Sequence, residues 1–195
     1  MKITLASLYA FLFLFVFLDP SHGEKDERPN IIVFLVDDYD KPETSPYGGK
    51  VLTPNLDRLA KEGMICHNAH VTSTVCTPSR YTFLTGRYAS SSHSNTFLDE
   101  CPGGTQALPA FNVGLESDRM NVGRVLADAG YATGFVGKYH VHDTDHSNEG
   151  SLFGDLNVPK NAKYSDQLNK RKFKLEKLQR ELIKKNGFTW AKNIY

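Results

Sequence analysis

The pattern of apolar and polar positions divides the chain into alternating elements. Ile31 to Val36, within "RPNIIVFLVDD", is a continuous apolar run with no polar alternation and several β-branched residues. Such a run predicts a central strand of a parallel sheet, buried on both faces. "TPNLDRLAKEG" then predicts a helix: Thr53 as its cap, Pro54 at its first position, Gly63 at its end. Leu56, Leu59 and Ala60 fall on one face of that helix. "MICHNAHV" predicts a second strand from Met64 to Val71, and Pro78 to Leu84 a short helix stopped by Gly86. Ser90 to Gly114 is rich in serine, glycine and proline and predicts a loop. "NVGRVLADAGY" predicts a helix with Val122, Val125, Leu126 and Ala129 on one face and Gly130 at its end, and "YATGFVGK" a strand. Strand, helix, strand, helix, strand is the order of an α/β fold with a largely parallel central sheet flanked by helices. Further on, Leu168, Leu175, Leu178 and Leu182 recur at helical spacing in a lysine-rich segment, predicting an amphipathic helix over 163–186 that ends at Gly187. Its lysines read as a solvated face.

The N-terminus has a different pattern. Lys2 precedes an almost unbroken apolar run from Leu5 to Leu18, which Asp19-Pro20 interrupts before the small residues Ser21 and Gly23. This is the layout of a secretory signal peptide over residues 1–23, cut after Gly23. A membrane anchor is the other reading, but the run is short of the roughly 20 apolar residues that a span needs. The remainder, 24–195, is of single-domain length, in a secreted, periplasmic or ER/lysosomal compartment with no stable membrane span after cleavage. Charge adds little, since 23 basic and 22 acidic residues leave a formal net charge of +1, which gives no footing for nucleic acid. The three cysteines, Cys66, Cys76 and Cys101, are an odd number in a compartment that favours pairs. Either Cys66 pairs with Cys101 and Cys76 is left for chemistry, or all three are free.

Two places carry candidate chemistry. Asp37-Asp38 closes the first apolar run, at the carboxyl end of a strand, where ligands gather in open α/β sheets. Adjacent carboxylates can converge only where the backbone turns, and there they suit a hard cation such as Ca²⁺ or Mg²⁺. A solvated turn is the plainer reading. In "TSTVCTPSRYTFLTG", Cys76 stands at the threshold of a helix, where the dipole favours an anion and activates a thiol. Arg80, one turn on, has the fork geometry for a tetrahedral oxyanion. Alone, the cysteine would read as a small buried hydrophobe beside a structural arginine. Lys138 alone would be a surface lysine. His140, His142 and His146 would be polar filler or a metal-binding tract, although no partner ligands stand at zinc-like spacing.

Together these elements resemble the sulfatase family. Cys76, Pro78, Ser79, Arg80, Leu84, Thr85 and Gly86 match its signature, Cys-x-Pro-Ser-Arg followed by an apolar stretch and Thr-Gly. Thr74 departs slightly from the family's usual smaller residue or proline. "RPNIIVFLVDD", "TPNLDRLAKEGM" and "GKYH" at Gly137–His140 are similar to further family elements, in the family's order, from Arg28 to about His142. The resemblance implies an alkaline-phosphatase-like α/β fold and a sulfuric ester or sulfamate hydrolase acting on sulfated carbohydrate. It also implies that a formylglycine-generating enzyme reads the extended chain and oxidises Cys76 to Cα-formylglycine. The hydrated aldehyde attacks sulfur with one hydroxyl. The second hydroxyl then expels sulfate by elimination, a release route that a serine ester lacks. By the same resemblance Asp37, Asp38 and position 76 are ligands of Ca²⁺, with Mg²⁺ as the alternative. Arg80 stabilises the nucleophile, and Lys138 and His140 bind the sulfate and handle its charge.

"DDYDKPETSPYGG" and "GKYHVHD" are more similar to N-sulfoglucosamine sulfohydrolase-like and polysaccharide sulfatases than to steroid sulfatases. The family's remaining metal ligands, second histidine and second lysine lie further along than this chain reaches, and Asp145-His146 reads as loop. The expectation is therefore an N-terminal portion of a sulfatase, incomplete in its fold and metal site. Two alternatives stand beside it: a phosphoester or phosphonate hydrolase of the same superfamily, and an inactive truncated fragment.

Overall fold

The computed structural model describes residues 27–142 and 166–194. The segment read as a signal peptide, the residues around His146 and the start of the lysine-rich segment lie outside them. The chain divides into two units after Asp40.

In the first unit, residues 31–36 form no strand, and all six side chains are exposed, Ile32 at 91%. This corrects the reading of a buried central strand. An apolar run is buried only when other elements supply a partner on each edge and a layer on each face. The run ends in a bend at Asp37-Asp38, where Asp38 takes a left-handed φ of 51°.

The second unit opens with two 3-10 turns, Lys41–Glu43 and Ser45–Tyr47, followed by α1 (Pro54–Glu62). Thr53 and Gly63 flank α1 as its sequence predicts, with Pro54 in the first turn. The Thr53 hydroxyl does not cap the helix. It bonds the Ser45 hydroxyl at 2.7 Å, which reaches on to Asp57 Oδ1 at 2.6 Å, tying the turn to the helix. Leu56 and Leu59 on the apolar face remain exposed. Met64 to Val71 is turn and coil instead of the expected strand. Its carbonyls serve side chains, with Cys66 O accepting from Tyr47 and His67 O from Lys41. A segment held by such irregular bonds cannot also offer a ladder.

The core begins at α2 (Cys76–Thr85). Gly86 follows it in the left-handed conformation (φ 67°), which lets its N–H close the helix on Thr82 O. The expected loop Ser90–Gly114 contains a short helix, α3 (Asn95–Glu100), whose Phe97 is buried. α4 (Val122–Asp128) is capped by Asn121, whose side chain accepts from the Arg124 N–H at 3.2 Å. Its buried residue is Gly123, lying against the Phe188 ring, whereas Val125 faces solvent. The predicted apolar stripe is therefore rotated. The absence of a Cβ lets the helix sit on an aromatic ring.

β1 (Gly134–Gly137) pairs in parallel with β2 (Trp190–Ile194), which the sequence reading had not assigned. Parallel neighbours need a long crossover, and α5 (Asp166–Lys185) lies within it and packs on β2. The register slips between Val136 and Gly137, where Asn193 adopts φ 51° as the extra residue of a bulge. Gly187 (φ 92°) turns the chain from α5 towards β2, with Arg124 packed so closely that a side chain there would collide with it. Tyr81, Tyr139, Val141, Ile183, Phe188 and Ala191 are central to the buried cluster that joins α2, α5 and the strands. Cys66, Cys76 and Cys101 are all free. No described helix is long and apolar enough to cross a membrane.

Candidate active site

α2 begins at Cys76, with Val75 as its extended N-cap. The sulfur therefore sits in the first turn, where backbone N–H groups lack intrahelical acceptors and the dipole favours negative charge. Thr77, Pro78, Arg80 and Tyr81 are buried, so the motif after the cysteine anchors the helix while Cys76 stays partly accessible.

The segment after β1 comes back to the start of this helix. Cys76 Sγ lies 3.3 Å from His140 Nδ1, either atom able to donate according to tautomer. Arg80 Nη1 donates to the Lys138 carbonyl at 2.8 Å. Residues 58 and 64 positions apart are thus locked together, and the backbone of "GKYH" is fastened to the helix that carries the cysteine. His140 holds a left-handed φ of 53°, unusual outside glycine, which turns consecutive side chains off strand alternation.

Tyr139, between the two polar residues, points the other way. It is fully buried, packs edge-on against Phe135 at 5.4 Å and accepts from Asn186 Nδ2 at 3.0 Å. Burial pushes its phenol well above the usual tyrosine range, the Asn186 bond pulling only partly back, so it stays neutral. Burial also pushes His142 down to about 4, with the nearby His140 adding to the effect, so His142 is neutral at physiological pH.

Behind the helix, Glu116 is 5% exposed and accepts from five groups. Tyr81 Oη donates at 2.9 Å, the His93 N–H at 2.7 Å and Ser92 Oγ at 3.3 Å. Arg119 and Arg87 approach at 3.4 and 3.5 Å. Burial alone would raise this carboxyl. The N–H of His93, its own backbone N–H, the Tyr81 hydroxyl and the Arg119 charge together hold it below the ordinary glutamate value. Phe111 stacks on His140 with centroids 5.5 Å apart and a tilt of 32°.

Of the residues singled out from sequence, Cys76, Arg80, Lys138 and His140 come together. Asp37 and Asp38 belong to the first unit. As adjacent carboxylates in a bend they are hard oxygen donors of the kind that Ca²⁺ or Mg²⁺ takes, and they would supply only part of the roughly six to eight oxygens of a calcium shell. Among the described residues no group of three or more His, Cys, Asp or Glu side chains is gathered as a metal cage. Glu116, Asn186 and Phe111 were not read from the sequence. Asn186 had a faint signal in its position just before the helix-ending Gly187, and the other two had none.

An accessible sulfur at a helix N-terminus, with a guanidinium one turn on and an imidazole in contact, suits attack on a tetrahedral anion. The sequence model of the sulfatase family matches residues 29–190, and the chain belongs to that family. The family's α/β fold thereby applies to it. It is 38% identical over 144 residues to the steryl-sulfatase of Homo sapiens, covering 70% of this chain and 23% of that protein. It is also 38% identical over 121 residues to an N-acetylgalactosamine-6-O-sulfatase of Bacteroides thetaiotaomicron, covering 62% of this chain and 22% of that one. The solved structure of Ps i-CgsB is 34% identical and superposes with a TM-score of 0.49 over 62% of this chain and 25% of that one. The chain spans about a quarter of the length of these relatives.

Proposed function

We propose that this chain carries the nucleophile-bearing portion of a sulfate ester hydrolase for sulfated sugars, exported by way of the segment 1–23. The contact between Cys76 Sγ and His140 Nδ1 at 3.3 Å is the observation that carries the reading. It joins the signature cysteine to the "GKYH" element, as a sulfate site on these residues requires. Cys76 is the precursor of Cα-formylglycine, made by a formylglycine-generating enzyme. In its hydrated form that group supplies one hydroxyl to attack sulfur and a second to release sulfate.

The chain's own residues do the rest. Arg80, fixed by its bond to the Lys138 carbonyl, holds permanent positive charge one helical turn from position 76, where negative charge develops. The Lys138 ammonium neutralises sulfate oxygens. The imidazole of His140, within hydrogen-bond reach of position 76, moves a proton to or from the leaving oxygen. Asp37, Asp38 and position 76 would hold a divalent cation, Ca²⁺ or Mg²⁺, which would add positive charge beside the sulfate. The preference for sugar sulfates rests on the "DDYDKPETSPYGG" and "GKYHVHD" elements, together with relatives that include sugar 6-O-sulfatases.

Mass spectrometry of the tryptic peptide spanning Cys76, from protein matured in its own host, tests the modification. Formylglycine, in which an aldehyde oxygen replaces the thiol sulfur and two hydrogens are lost, is expected, and complete unmodified thiol would sink the mechanism. Sulfate release from N-acetylglucosamine 6-sulfate by the same material is expected to vanish in Cys76→Ala. Equal release by the variant would remove Cys76 from the reaction.

A further inference from the structure

Phe111 is 70% exposed, although its neighbours Asn112 to Glu116 are all buried. The backbone on either side of it is fixed. Asn112 Oδ1 accepts from the Ala110 N–H at 2.8 Å, and Asn112 Nδ2 donates to Glu100 Oε2 at 2.7 Å. A large aromatic ring is thus held out into water on a rigid base. Its ring partner among the described residues, His140, is the residue that touches Cys76. Cys76, His140 and Phe111 form a continuous chain of contacts running outward from the nucleophile.

We infer that Phe111 is a specificity residue of the same site, a platform on which the pyranose ring of the leaving sugar stacks. The inference rests on the sulfate-ester reading given above. A sulfate bound at position 76 and His140 directs its ester oxygen outward, and the carbon skeleton begins one bond beyond, beside Phe111. An open single ring fits a sugar. A pyranose offers one patch of C–H bonds to an aromatic face and keeps its hydroxyls in water. A wholly apolar skeleton such as a steroid gains from enclosure, which one exposed ring does not provide. The ring's fixed base limits the ordering cost of that contact.

Saturation-transfer NMR on the full chain, which needs no turnover, reads the affinity for N-acetylglucosamine 6-sulfate in wild type, Phe111→Ala and Phe111→Trp. Because the side chain is exposed, both variants are expected to keep the wild-type circular dichroism. Phe111→Ala should bind about 10-fold more weakly and Phe111→Trp within about 3-fold of wild type, the range of an aromatic stacking contact. Inorganic sulfate should bind all three alike. Unchanged sugar-sulfate affinity in Phe111→Ala overturns the platform, as does no binding by wild type. A parallel loss for inorganic sulfate also overturns it, because Phe111 would then be supporting His140 and not a sugar. Tighter, more Phe111-dependent binding of 4-nitrophenyl sulfate would replace the sugar with an aryl group. Wild type that binds through Phe111 but releases no sulfate would refute the hydrolase reading and leave the platform standing.

Discussion

Replacing Glu116 with alanine removes the acceptor around which the back of α2 is organised. Tyr81 Oη, fully buried, and the His93 N–H would each lose a carboxylate oxygen at 2.9 and 2.7 Å. A buried donor left without an acceptor costs about 1–3 kcal/mol. Arg87 and Arg119 keep side-chain exposures of 25% and 30% and can rehydrate, so their share is small. The sum, about 2–6 kcal/mol, brackets the usual cost of about 3–5 kcal/mol for removing one member of a buried ionic network. With a urea dependence of about 2 kcal/mol per molar, the unfolding midpoint followed by far-ultraviolet circular dichroism should fall by about 2 M. Glu116→Gln keeps one acceptor and should fall by about half as much. The sign with pH is fixed. Glu116 has a depressed folded-state pKa, so its contribution is present above the ordinary value of 4.5 and is lost as pH falls through the lower folded value. The gap between wild type and Glu116→Gln should therefore close in acid. A midpoint for Glu116→Ala within about 0.3 M of wild type, or a gap that widens in acid, would refute the view of this carboxylate as a structural hub.

Two further outcomes follow from buried groups near the site. His142, held neutral with a folded pKa of about 4, lets the unfolded chain bind the extra proton between 6.5 and 4. Stability should fall as pH drops through that window, and His142→Gln should flatten the dependence in thermal melts at pH 7 and 5. Asn186→Ala leaves the buried Tyr139 hydroxyl without its donor and should cost about 2 kcal/mol. Adding Tyr139→Phe should recover more than half of that in a double-mutant cycle, and strict additivity would show that the bond carries no coupling.

Local signals in the sequence were read correctly where their causes are local. Pro54 with Gly63, Pro78 to Leu84 with Gly86, and the leucines of α5 mark helices through end signals and spacing, which the chain supplies within one or two turns. Ile31–Val36 and Met64–Val71 failed as strands because a strand needs a partner, and an apolar run states a preference for burial without naming what buries it. The same division holds at the site. Cys76, Arg80, Lys138 and His140 stand out only through the resemblance of their motifs to the sulfatase family, since alone Lys138 reads as a surface lysine and His140 as polar filler. Glu116, Asn186 and Phe111 matter through contacts made across tens of residues, and no local spacing marks them.

The exposed run Ile31–Val36 also bears on how this chain behaves in quantity. Six consecutive residues of high β-propensity, without charge, proline or glycine, have the composition of a segment that stacks into cross-β ribbons with its own copies. Arg28 on one side and Asp37 and Asp38 on the other act as gatekeepers, setting charge at both ends of any such stack. The two aspartates read as cation ligands thus also discourage self-association. A cation that neutralised them in a chain whose run is still uncovered would remove that protection, favouring aggregation over assembly of the site.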